Sequence, residues 1–306
     1  MRVSIALPTD RVEAADEFVT GDAVGEMAAA AEDAGYDGCF VTDHPAPDAR
    51  WLAAGGHHAL DPMVALSFAA AATTRLRLQT HILVLPYRNP LLAAKSVLSL
   101  DVLSGGRVIL GVAPGYLKPE FSALGVDFDE RNELTDEAIE VMRLVWSEDE
   151  VVYEGRRFRT RGTTMRPRPA SEPHPPIWVG GNSRAAIRRA VDHGDGWVPF
   201  PNPQAAARAV RTPTLSSVDE LAERIDDASD YAEEVGREAP LDICCAPFTL
   251  DWRSSGDFDP ARVVDELAQM AELGVTWTTV GVPGRDRAAW AANARRFADE
   301  VVAEVR

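Results

Sequence analysis

Short apolar, β-branched runs alternate along the chain with longer stretches whose apolar residues recur at helical spacing. Val3 to Leu7 reads as a strand, and Asp22 to Ala34 as a helix stopped by Gly35. Gly38 to Thr42 is a second strand. Asp61 to Ala72 is a helix, with Asp61 placed to cap it and Pro62 at its first position. Leu76 to Leu85 contains a third strand. Pro90 to Leu103 is a helix closed by Gly105 and Gly106. Val108 to Val112 is a fourth strand, and Glu130 to Trp146 a helix. Regularity then breaks: Val151 to Phe158 has a hairpin pattern with Glu154-Gly155 at its turn, and a Pro-rich loop follows from Pro167 to Pro176. Ile177 to Val179, Trp197 to Phe200, Leu241 to Ala246 and Trp277 to Val280 read as strands five to eight. The helices Ser183 to His193, Val218 to Val235, Pro260 to Leu273 and Arg287 to Glu304 follow them in turn.

Eight strands, each followed by a helix, imply a parallel sheet with right-handed crossovers. Eight such units favour a closed barrel over a doubly wound open sheet, whose G-x-G-x-x-G fingerprint is absent after Leu7. The expected fold is therefore α/β, a (β/α)8 TIM barrel with insertions. Residues 1–306 form one domain, with the 43–60 loop and the 147–176 hairpin and Pro-rich segment placed at the barrel mouth.

In such a barrel chemistry belongs at the C-terminal ends of the strands. Thr42-Asp43-His44-Pro45 follows strand two. His44 beside an acid can exchange a proton near neutral pH, although a polar loop start with a capping Asp has the same look. Thr80-His81-Ile82 lies in the apolar third strand, where a lone His is more often a core residue. Ala113, Pro114, Gly115 and Tyr116 follow strand four, where small residues let a flat ligand approach the backbone. Gly180-Gly181-Asn182-Ser183 runs from strand five into a helix, either as a tight capped turn or as a phosphate site built on a helix N-terminus. Trp51, Tyr116 and Trp197 are candidates for a partly apolar substrate pocket, with ordinary packing the alternative for each. His57-His58 lies in a Gly-rich loop without a carboxylate cluster to complete a metal site, so no metal is expected.

Composition narrows the function classes. The chain has 306 residues and a formal charge of −17, with 46% hydrophobic residues. That apolar fraction is ordinary for a globular protein. The acidity argues against a protein that coats nucleic acid. No stretch has the ~20 apolar residues that span a bilayer, and MRVSIALP is too short for a signal peptide. Cys39, Cys244 and Cys245 make no disulfide framework, and free thiols fit a cytoplasmic setting. The expected partner is a small molecule, with neither nucleic acid nor membrane. The charge is uneven. Residues 155–168 carry six arginines and no acid, while eight acids between Asp219 and Glu234 face only Arg224. The acidic helix reads as a solvated face. The arginine hairpin is either another solvated face or a local attractor for an anionic ligand.

Four stretches together resemble the luciferase-like monooxygenase superfamily of flavin- and deazaflavin-dependent barrels. They are GYDGCFVTDH (35–44), RLRLQTHILVLPYRNPLLAAKSVLSLDVLSGGRVILGVAPG (75–115), the helix from Asp129 to Trp146 with its hairpin, and PHPPIWVGGNSRAAIRRAVDHGDGW (173–197). The resemblance covers most of residues 1–200 and implies a barrel that binds FMN or coenzyme F420 over its mouth. TDH resembles the F420-dependent branch. In that branch His44 is the candidate acid–base residue and Asp43 a ring or backbone contact. A third-strand bulge, often with a non-prolyl cis peptide, maps to Thr80-His81-Ile82. Gly180, Gly181 and Asn182 map to the phosphate loop. Asp101, Ser104 and Arg107 are motif residues at the opposite, structural face. One departure stands out: the sugar-phosphate dehydrogenases of this branch have Gly-Glu where this chain has Gly115-Tyr116, which puts sugar-phosphate oxidation in doubt. The resemblance thus implies an F420-dependent oxidoreductase, commonly a homodimer. The alternatives are an FMN-dependent monooxygenase served by a separate flavin reductase, and a degenerate flavin-binding barrel that is not an enzyme.

Overall fold

The computed structural model describes residues 1–204, 211–250 and 258–306. Its elements run β1 (Arg2–Ala6), α1 (Ala15–Phe18), α2 (Gly21–Ala34), β2 (Gly38–Val41), α3 (Ala49–Ala53), α4 (Pro62–Ala72), β3 (Arg77–Val84), α5 (Pro90–Ser104), β4 (Val108–Ala113), α6 (Lys118–Ala123), α7 (Arg131–Ser147), β5 (Val151–Glu154), β6 (Arg159–Thr163), β7 (Ile177–Gly180), α8 (Arg184–His193), β8 (Gly196–Val198), α9 (Val218–Glu234), β9 (Asp242–Ile243), α10 (Pro260–Glu272), β10 (Trp277–Val280) and α11 (Arg287–Phe297). Eight parallel strands form one sheet in the order β10-β1-β2-β3-β4-β7-β8-β9. A parallel bridge between Cys244 and Trp277 joins its two ends, giving the expected barrel. The helices start where the sequence signals them. Asp61 accepts from the Met63 and Val64 amides with Pro62 at the first helical turn, and Asn89 does the same ahead of Pro90. Gly105 closes α5 in the left-handed region at φ 69°.

Alternation along the strands sorts the core into two compartments. Ile109, Trp178, Val198, Cys244 and Trp277 point into the barrel. Their neighbours Val3, Ile5, Leu78, Leu110, Val179 and Trp197 point outward against the helices and join the larger core.

The base of the barrel is stapled by the motif read as structural. Arg107 donates to Ala70 O, the Thr73 hydroxyl, Leu76 O and Ser104 O, all at 2.8–3.0 Å, and so closes the C-terminal ends of α4 and α5 together. Asp101 accepts from the Ala170 and Ser171 amides and the Ser171 hydroxyl. Glu32 on α2 takes the amides of Thr74, Arg75 and Leu76, which lead into β3.

Further contacts hold the 147–176 segment. A barrel helix runs opposite to its strands, so α7 carries the chain away from the mouth. Arg168 caps the carbonyls of Val145, Trp146 and Glu148 there, and the Pro-rich segment is tied to Asp101 at the base. The β5–β6 hairpin lies outside α7 and only its tip climbs back, where Glu137 accepts from the Arg157 and Phe158 amides. The hairpin is also longer than its sequence pattern suggests, because the ladder continues to Thr163.

The Glu32 carboxyl generates a pH prediction. Burial pushes its pKa up, but hydrogen bonds from Arg75, Leu76 and Thr74 outweigh that and hold it at about 2, below its ordinary 4.5. A lowered carboxylate contributes stability above the unfolded value and loses it as the folded value is approached. Glu32→Gln is therefore expected to melt at lower temperature than the wild type at pH 7. The gap should close as pH falls from about 4.5 towards 2, measured by thermal unfolding across that range.

Candidate active site

The ends of β2, β3 and β4 bring His44, Tyr87, Tyr116 and a residue that the sequence pattern did not single out, Glu120, into one cluster. Glu120 is fully buried on the short helix α6. Its Oε2 lies 3.1 Å from His44 Nδ1 and accepts from the Tyr87 hydroxyl at 2.9 Å, and its Oε1 accepts from the Ala46 amide at 3.1 Å. Burial, and then the Glu120 charge and hydrogen bond, push the Tyr87 phenol well above its ordinary range, so Tyr87 stays a donor. This carboxylate lies four residues beyond Tyr116. The one hint was Pro119, which sits in the first turn of α6 and starts a helix there.

His44 is walled by rings. Trp51 lies 4.4 Å from it, His57 5.0 Å and Tyr116 6.0 Å, centroid to centroid. Asp48 caps α3 through the Arg50 and Trp51 amides and so presents Trp51 to the site. A Cβ on Gly56 would lie inside the Trp51 ring, so this glycine is what lets the loop close under the indole. Asp43, beside His44, turns the other way. It binds Arg88 through both oxygens, at 2.6 and 2.9 Å, and accepts from the Val84 amide at 2.9 Å. It ties the end of β2 to the end of β3.

On β3 the register with β4 shifts between Thr80 and Leu83, and the His81–Ile82 peptide is cis. The Thr80 hydroxyl donates to Gly111 O at 2.7 Å. The His81 ring lies 4.8 Å from Phe40, tilted by 53°, with Gln79 Nε2 at 3.3 Å from its Nδ1. Burial pulls its pKa down to about 4, so the ring is neutral at physiological pH. Ile82 packs on the inner barrel cluster and fills the space a side chain on Gly180 would need. Ala113 and Gly115 lie half-buried after β4, with Gly115 at φ 80° over Val84 and Phe121.

The Gly180-Gly181-Asn182 loop is bonded to the segments beside it. The Gly181 amide donates to Val198 O and the Asn182 amide to the Thr212 hydroxyl. Both Asn182 side-chain hydrogens are spent, on Phe200 O and Pro213 O. Trp197 is also buried, facing the helices with its indole donating to Gly181 O, and is not brought to the ring cluster around His44.

Positive charge gathers near this loop, from residues that the sequence did not single out. Lys118, Arg131 and Arg211 stand over the Phe128 ring at 5.8, 3.9 and 5.1 Å from its centroid. Burial and then the Arg211 charge lower the Arg131 pKa, a sign that the two cations feel each other. Arg189 on α8 pairs with Asp136 on α7. The arginines of the hairpin are by contrast largely paired: Arg156 and Arg157 with Glu130, Arg159 with Glu154, Arg166 and Arg168 with Asp149. Among the described residues no cluster of three His, Cys, Asp or Glu could hold a metal, and no helix is long and apolar enough to cross a membrane.

The glycines at the mouth give a graded prediction. A Cβ on Gly111 would collide with the Thr80 carbonyl oxygen, which is backbone, whereas one on Gly180 would meet only the flexible end of Ile82. Gly111→Ala is expected to destabilise the fold by about 2 kcal/mol or more, and Gly180→Ala by clearly less. Denaturant unfolding of the two variants measures the difference.

Comparison with known proteins places this architecture. The family model described as luciferase-like monooxygenase matches residues 1–250. An uncharacterized protein of Mycobacterium tuberculosis is 31% identical over 257 residues, which cover 84% of this chain and 79% of that one. An F420-dependent glucose-6-phosphate dehydrogenase of Kineococcus radiotolerans is 28% identical over 266 residues, 86% of this chain and 72% of that one. Among solved structures, monooxygenase RslO1 from Streptomyces bottropensis superposes over the full length of both chains with a TM-score of 0.77 at 22% identity, a likeness of fold. With the barrel closed, the strand ends occupied as described and the family model spanning most of its length, the chain belongs to the luciferase-like monooxygenase family.

Proposed function

We propose that this barrel is an F420-dependent oxidoreductase of small organic substrates in which His44 is the acid–base residue. The observation that carries the reading is the His44 imidazole, held at a strand end by a buried carboxylate and surrounded by Trp51, His57 and Tyr116. A bound deazaflavin supplies the carbon that takes or gives a hydride. His44 takes or gives the accompanying proton on the substrate. The ring walls suit an uncharged, partly apolar molecule, in keeping with the doubt that Tyr116 casts on sugar phosphates. The cofactor's phosphate fits the donor set at the mouth, where Lys118, Arg131 and Arg211 converge beside the Gly180–Asn182 loop. Asp43 serves that reading by holding the β2 and β3 ends in place. Thr80, His81 and Ile82 form the bulge expected behind the ring system, and Ala113 and Gly115 leave room for its approach.

Family membership accommodates FMN as well, in an oxygenase fed by a separate reductase. Titration with each cofactor distinguishes them: F420 is expected to show its perturbed spectrum at micromolar concentration, and a preference for FMN overturns the assignment. Undetectable binding of both would favour a degenerate, non-enzymatic barrel. His44→Ala is expected to keep cofactor affinity and lose turnover by about a hundredfold or more. Replacing Lys118 and Arg131 together with Ala should weaken cofactor binding about tenfold and flatten its dependence on salt, read by fluorescence titration at several ionic strengths.

We also propose a homodimer that covers the face of α4 and α5, where Val64, Phe68 and Leu92 are 57%, 49% and 70% exposed. Phe68→Glu should then leave a monomer in sedimentation velocity.

A further inference from the structure

We infer that Glu120 is the positioning residue of His44. Its carboxylate fixes the imidazole as the tautomer with the proton on Nδ1, leaving Nε2 as the nitrogen that exchanges a proton with substrate. The inference deepens the proposed role of His44 and rests on it for its catalytic meaning.

The argument is one of donors and acceptors. Glu120 is fully buried, so every lone pair it uses must be served by the protein. The Ala46 amide on Oε1 can only donate. Tyr87 has its phenol proton held on by burial and by this same carboxylate, and donates to Oε2. With Glu120 taken as the carboxylate, which has no proton to give, the third contact, His44 Nδ1 at 3.1 Å, is then a donor too. A neutral imidazole with Nδ1–H has its base on Nε2. The other groups around the ring come from separate elements: Trp51 from α3, His57 from the loop after it, and Tyr116 from the β4–α6 connection. Asp43, next in sequence, is locked to Arg88 and does not compete for Nδ1.

The same reasoning separates a carboxylate from its amide. A Gln at position 120 has one oxygen and one NH2 group. The Ala46 amide claims the oxygen because it can do nothing but donate. The NH2 then faces Tyr87 and Nδ1 and requires Nδ1 to accept, which moves the ring proton to Nε2. Asp keeps two acceptor oxygens on a shorter stem.

The test is the ring 15N spectrum of His44 in the free protein, assigned by its loss in His44→Asn, for wild type, Glu120→Gln, Glu120→Asp and Tyr87→Phe. The expected result is a protonated Nδ1 in wild type and in Tyr87→Phe, a shift to protonated Nε2 in Glu120→Gln, and at least partial return in Glu120→Asp. In the loaded enzyme, Glu120→Gln should lower kcat by on the order of a hundredfold or more while KM changes little, as expected when the base is presented as the wrong tautomer. A wild-type His44 protonated on Nε2 overturns the inference, and this single measurement decides even if Glu120→Gln fails to fold. An unchanged tautomer in a folded Glu120→Gln overturns it as well. A tautomer that shifts as expected while kcat is unaffected upholds the positioning and sinks His44 as the acid–base residue.

Discussion

A fully buried carboxylate must be served with hydrogen bonds where it lies, and the mouth of this barrel is arranged around meeting that demand for Glu120. Its three partners come from two strand ends: His44 and Ala46 after β2, and Tyr87 after β3. Satisfying one side chain therefore fixes the relative positions of two strand ends and the helix that follows a third. Leaving any of these donors out would strand buried polarity at a cost of about 1–3 kcal/mol per group. The pressure to complete the cluster is thus also what orients the imidazole.

Asp43 applies the same logic one residue earlier. Its bidentate pair with Arg88 and its bond to the Val84 amide join β2 and β3 where the β3 register breaks. Adjacent residues divide the labour, with Asp43 bracing the scaffold and His44 left to face the ring-lined space. At the other end of the barrel Arg107, Asp101 and Glu32 close helix ends and loop amides. Stability is concentrated at the base and chemistry at the mouth, as the barrel topology allows.

Much of this was legible in the chain. Alternating strand and helix periods gave the eight units, and Asp61-Pro62, Pro90 and Gly105 marked helix limits to within a residue or two. The Asp-His pair stood out because a strand end in a barrel is a place for chemistry. Trp197 was legible as an aromatic but not as a buried one. In the three-residue strand β8, alternation has too few positions to say which face a side chain takes, and pairing with Val179 is what turns Trp197 toward the helices. The six arginines at 156–168 were visible as a block of charge. Their pairing was not, because Glu130 and Asp149 are brought to them by the course of α7 and the hairpin.

Local pattern, then, determined the fold, the identity of the candidate base and the glycines at its strand ends, since each depends on residues near one another in sequence. Only tertiary structure decided which residues complete the site. Glu120 lies 76 positions from His44 and 33 from Tyr87, and Arg211 reaches Phe128 from a loop beyond β8. No periodicity encodes such encounters, because they follow from barrel closure, which places separate strand ends around one mouth. The physical reason is that hydrogen bonding and charge act across space at about 3–4 Å, whereas propensity and periodicity act along the chain.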